Sequence, residues 1–107
     1  LLQYLQREWK LPSLQYTSPP IPVLGGIETS IFKVQLQNPP KKIPQILIVR
    51  IFKHYASPGT ALRESIIQNA AAAAGIPAPQ VFLTCSDSSI LGGEFNIMEY
   101  LSGRPMI

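Results

Sequence analysis

The seven residues Ile46-Leu47-Ile48-Val49-Arg50-Ile51-Phe52 constrain this chain more than any other stretch. Side chains alternate between the two sides of a strand. Ile46, Ile48, Arg50 and Phe52 therefore share one face, and Leu47, Val49 and Ile51 share the other. Apolar residues on both faces need cover on both, which makes this a central strand. Arg50 is the exception. A bare guanidinium inside such a run is expensive, so it must pair, carry its charge out to water, or face a cleft.

The surrounding elements follow from periodicity and punctuation. Leu1, Leu2, Leu5 and Trp9 recur at helical spacing, and the helix stops before Pro12. Residues 12–22 are rich in Pro and Ser and read as a lead-in to a sheet edge. Pro22-Val23-Leu24 reads as a strand end that runs into Gly25-Gly26. Phe32, Val34 and Leu36 alternate with Lys33, Gln35 and Gln37, the period of a half-buried strand. Asn38-Pro39-Pro40-Lys41-Lys42 breaks that pattern as a hairpin loop. A helix is expected from Ser57-Pro58-Gly59-Thr60 to about Ala74, capped by either hydroxyl, with Leu62, Ile66, Ile67, Ala70 and Ala74 as its apolar face. Gly75 suits a left-handed C-cap, and Pro77 prevents continuation. Strands follow over 80–84 and 94–101.

The order is helix, three strands, helix, two strands. Short connections make an antiparallel sheet with one long packed helix the simplest solution, an α+β fold. At 107 residues the chain has room for one modest core, and its 46% apolar and 14% charged residues argue against disorder despite 11 prolines. No apolar run is long enough to cross a membrane. The net charge of +3 suits an anionic ligand. Phe32, Phe52, Phe82 and Phe95 read as core residues, not as a base-stacking surface, so no nucleic-acid partner is expected. Cys85 is the only cysteine and cannot form an internal disulfide; it reads as a buried strand residue in a reducing compartment, and the expected location is the cytoplasm. His54 reads as a surface residue, and Asp87 as a turn former within Ser86-Asp87-Ser88-Ser89.

Three features bear on chemistry. The turn Gly25-Gly26-Ile27-Glu28-Thr29-Ser30 lies between two strands, and paired glycines let backbone N–H groups approach phosphate. Arg50 stands in mid-strand, with Glu64 on the following helix as a carboxylate that can reach back over the sheet. The segment Leu91 to Arg104 is a strand leading to a glycine-bearing exit, whose backbone can meet the edge of a base.

Together these residues resemble the N-terminal lobe of the aminoglycoside phosphotransferase-like small-molecule kinases. The resemblance runs from about Val23 to Arg104. It is carried by Ile48-Val49-Arg50, Arg63-Glu64, Ala74-Gly75-Ile76-Pro77-Ala78-Pro79, Asp87 with Leu91-Gly92, and Phe95 through Gly103, which holds Met98-Glu99-Tyr100-Leu101-Ser102-Gly103. It implies a protein-kinase-like N-terminal lobe over 23–104, preceded by a helix and lead-in over 1–22 and followed by a link over 105–107. It further implies that Gly25, Gly26 and Thr29 belong to a loop over the phosphates of ATP, that Arg50 contacts those phosphates, and that Glu64 orients Arg50. Met98, Glu99, Tyr100 and Leu101 would form the hinge beside adenine.

The chain departs from the family where Ile27-Glu28 follows the glycines in place of Ser-Asn; Arg50 stands where the family keeps a Lys or Arg, though lysine is the more usual residue across kinases at large. The family's catalytic Asp and metal-binding Asn and Asp lie in a second lobe, and no His-x-Asp segment occurs here. The resemblance thus implies the ATP-binding part of an ATP-dependent phosphotransferase, inactive alone. Its own C-terminal lobe would be the partner, Mg2+ would bind only with that lobe, and the small-molecule acceptor is unspecified. The alternative is a non-enzymatic α+β interaction module, in which Gly25-Gly26 is only a turn and Arg50 has no ligand.

Overall fold

The computed structural model describes residues 1–23, 29–53 and 58–100. Seven elements occur in the expected order: α1 (Leu2–Glu8), β1 (Gln15–Val23), β2 (Thr29–Gln37), β3 (Ile46–Phe52), α2 (Thr60–Ala73), β4 (Val81–Cys85) and β5 (Phe95–Glu99). The strands form one antiparallel sheet in the order β1-β2-β3-β5-β4. The apolar heptapeptide is thus the middle strand, as its two covered faces require.

Each sheet face has its own core. On one side α1 lays Tyr4 and Leu5 against Val34, Leu36, Leu47, Val49, Phe95 and Ile97. The Tyr4 and Phe95 rings meet edge to face, with centroids 5.2 Å apart. On the other side Ile31, Ile48, Val81 and Met98 form a smaller cluster, and Val23 and Tyr100 pack on it. The helix α2 covers the β4–β5 half of that second side.

The Pro/Ser-rich lead-in is itself a strand. β1 begins at Gln15, well before Val23, and holds Pro19, Pro20 and Pro22. Proline has no N–H for a ladder and survives only where one side of the strand lacks a partner. β1 is such an edge, paired with β2 alone, and its register slips between Tyr16 and Ser18 and between Ser18 and Ile21.

The orientation of α2 reverses the expectation. Leu62, Ile66 and Ile67 are more than half exposed, and the buried residues are Ala61 and Ser65. Hydrogen bonds set this rotation. Asn96 on β5 is fully buried and donates from Nδ2 to the Ala61 carbonyl at 3.0 Å. The Asn69 amide grips the Val81 backbone from both ends, accepting at 2.8 Å and donating at 3.2 Å. These contacts tie the polar face of the helix to the sheet in place of the three apolar side chains, although Asn96 Oδ1 is buried without a partner.

The helix start also differs from the expectation. Gly59, at φ +84°, takes the N-cap position and brings no side chain to cap the helix. The carboxylate of Glu94, 35 residues away, accepts from Gly59 N–H at 2.9 Å and, through its other oxygen, from Ala61 N–H at 3.0 Å. Ser57, one of the two expected caps, lies outside the described residues. The C-terminus is as expected. Gly75 adopts φ +85°, and Ile76 and Gly75 donate back to Ala71 and Ala72, a Schellman arrangement.

Candidate functional site

Arg50 lies on the α2 side of the sheet, opposite Ile31 of β2 and Asn96 of β5. Its side chain is half-buried, and its guanidinium carbon lies 4.9 Å from the centre of the Phe52 ring. Its Nε is buried and meets no hydrogen-bond acceptor. Among the described residues no ion pair joins Arg50 to Glu64, although Glu64 is half-buried on the first turns of the helix that crosses this face. The strand therefore carries a cation whose polar atoms the described protein leaves incompletely satisfied. Such an atom costs free energy unless a partner arrives.

The second core cluster adjoins this cation. Ile48 is two residues from Arg50 on the same face, and Met98 pairs with it across β5. Thr29, at the start of β2, pairs with Phe52 and so lies on the same face at the end nearest the glycine turn. Tyr100 packs on the cluster and carries the Lys33 ammonium 4.6 Å above its ring. Glu99 turns away from the cluster: its backbone N–H donates to the Gln80 carbonyl at 2.8 Å, and its Oε1 accepts from Gln80 N–H at 3.3 Å. Thr29, Arg50, Met98 and Tyr100 are thus brought to one face, with Glu64 above it. Gly25, Gly26 and Leu101 lie outside the described residues, as does His54.

Two residues that hold this arrangement were not singled out from sequence. Glu94 ties the start of α2 to β5, while its backbone carbonyl accepts from Phe52 N–H at 2.8 Å. Asn96 ties the same helix to the middle of β5. Both contacts span some 35 residues, so no local spacing marks them. Gly93 lets the strands close: a Cβ there would stand 1.8 Å from the Phe52 carbonyl oxygen.

The remaining polar groups have structural roles. Asp87 accepts from both Ser89 N–H at 2.9 Å and Ser89 Oγ at 2.6 Å, and the Ser89 side-chain bond chiefly holds its carboxyl below the usual range. Cys85 is buried, with its sulfur 3.7 Å from the Asp87 carbonyl. Among the described residues no three His, Cys, Asp or Glu side chains converge on a possible metal position. No described helix is long and apolar enough to cross a membrane.

The chain is similar to acyl-CoA dehydrogenase family member 11 of Pongo abelii, at 48% identity over 42 residues, which is 39% of this chain and 5% of that protein. The Homo sapiens protein of the same name is 45% identical over 42 residues, again 39% of this chain and 5% of that protein. The Rattus norvegicus protein is 28% identical over 111 residues, covering 92% of this chain and 14% of its own length. The chain thus spans only a small part of these curated relatives. No solved structure gives a significant match. The phosphotransferase enzyme family (APH) matches residues 21–107, which take in every strand and helix after the β1 edge, and the chain belongs to that family.

Proposed function

We propose that this chain is the nucleotide-side lobe of an ATP-dependent small-molecule phosphotransferase. The observation that carries the reading is Arg50, a half-buried cation with an unpartnered Nε, beside an apolar cluster. A nucleotide supplies what each part lacks. Its phosphates offer acceptors to a planar guanidinium. Its base offers an apolar face to Val23 and Tyr100, the partly buried residues that pack on Ile31, Ile48 and Met98.

In this reading Gly25, Gly26 and Thr29 approach the phosphates, and Glu99 and Leu101 flank the base through their backbone. Glu64 orients Arg50 once the phosphates are bound. Transfer also needs a base and a bound metal ion. Both are assigned to a second lobe, so residues 1–107 bind ATP without transferring its phosphate. The acceptor is chosen by that second lobe. Equilibrium titration of the chain with ATP tests this: saturable one-to-one binding, competed by ADP, is expected, and no binding at millimolar ATP overturns it.

A second reading, an interaction module, draws on the exposed apolar face of α2 at Leu62, Ile66 and Ile67. It expects the same chain to be indifferent to ATP, so one titration separates the two.

A further inference from the structure

The sheet has an apolar cavity on the side opposite Arg50. It measures about 300 Å³ and is lined by Leu1, Pro20, Phe32, Val49, Ile51 and Leu91. Tyr4 and Leu5 of α1 cover the sheet around Val34, Leu36 and Leu47, and the cavity lies beside them, against Leu1. It is about twice the ~150 Å³ of an engineered apolar cavity that stays dry and takes up benzene.

Strand register brings the Lys53 ammonium to the same side of the sheet, next to two of the lining residues. Ser30 pairs with Ile51 across the sheet and precedes Phe32 by two residues, so it shares their face. Lys53 follows Ile51 by two residues, and its Nζ donates to Ser30 Oγ at 3.1 Å. The hydroxyl thus holds the ammonium at the edge of the apolar walls, and among the described residues no carboxylate pairs with it. An apolar void with a fixed ammonium at its rim matches a molecule with an aliphatic body and an anionic head.

We propose that this cavity binds a medium-chain aliphatic carboxylate, with the chain against Phe32, Val49, Ile51 and Leu91 and the carboxylate on Lys53. The site is separate from the nucleotide reading, lying on the other face of the sheet, and does not depend on it.

Calorimetric titration of the 107-residue chain with octanoate, decanoate and decanol tests the assignment. One-to-one binding is expected, tightening up to about fourfold per added methylene while the cavity still has room. Lys53→Met weakens decanoate about tenfold and leaves decanol unchanged. Leu91→Trp and Ile51→Phe fill the cavity from different walls, and whichever of them melts cooperatively loses both ligands. Ile66→Gln, on the exposed face of α2, binds as the wild type does. The proposal is overturned if decanoate does not saturate a single site, if Lys53→Met affects decanol as much as decanoate, if a folded filling variant still binds, or if only Ile66→Gln loses binding.

Discussion

At the scale of single residues, carboxylates and amides fix how α2 sits on the sheet. Glu94 accepts two backbone N–H groups at the start of a helix whose N-cap residue is a glycine. Capping contacts of this kind are worth about 1 kcal/mol, up to ~2 where the group is well placed. Glu94→Ala should lower stability by about that amount and speed amide hydrogen exchange in the first turn of α2, whereas Glu94→Gln retains one acceptor and loses less. Denaturant unfolding with exchange measured on the same samples checks both. Tyr4 gives a test in pH. Its burial, chiefly, with Cys85 and Glu8 adding, pushes its hydroxyl well above the ordinary tyrosine value. A folded pKa raised above the unfolded one leaves stability untouched below about pH 10, where both states hold the proton. Above that the unfolded state releases its proton first, and stability falls with rising pH. Tyr4→Phe should show a shallower alkaline loss than the wild type in thermal melts from neutral to strongly basic pH.

At the scale of elements, α2 shows where periodicity misleads. The Leu62, Ile66 and Ile67 stripe is plain in the sequence, but the helix turns it outward. The contacts that fix its rotation, Asn96 to Ala61 and Asn69 to Val81, join residues distant in sequence or polar in character. A helical pattern locates a helix; it does not say which face the sheet will accept. Ile66→Gln should therefore leave stability within ~0.5 kcal/mol of wild type and reduce self-association. Ser65→Leu, on the buried face, should cost roughly 1–3 kcal/mol by overpacking. Comparative denaturant curves and sedimentation of the two variants read these outcomes. β1 teaches the converse. Its prolines suggest a linker, yet an edge strand tolerates them because half its ladder is unused.

At the scale of the whole molecule, the central strand made most of the fold legible. Seven residues apolar on both faces, broken by Arg50, specify a buried middle strand, and the five-stranded sheet and long helix follow from the punctuation on either side. The candidate site was legible in part for the same reason. Thr29, Arg50, Met98 and Tyr100 share a face because strand registers place them there. Glu64 was identified by charge, but no ion pair with Arg50 forms among the described residues, so the proposed coupling belongs to the nucleotide-bound state. A double-mutant cycle of Arg50→Ala and Glu64→Gln in ATP affinity should then be non-additive by ~0.5 kcal/mol or more. Glu94 and Asn96 were not legible, since their partners lie some 35 residues away.

The most direct test of the account compares ATP with adenosine on the wild-type chain and on Arg50→Met, which keeps an unbranched side chain and removes the charge. Arg50 is proposed to contact phosphate alone, so ATP should bind at least tenfold more weakly to the variant, about 1.4 kcal/mol, while adenosine binds both equally. Equal ATP affinity for the two proteins, or a matching loss for adenosine, would contradict it.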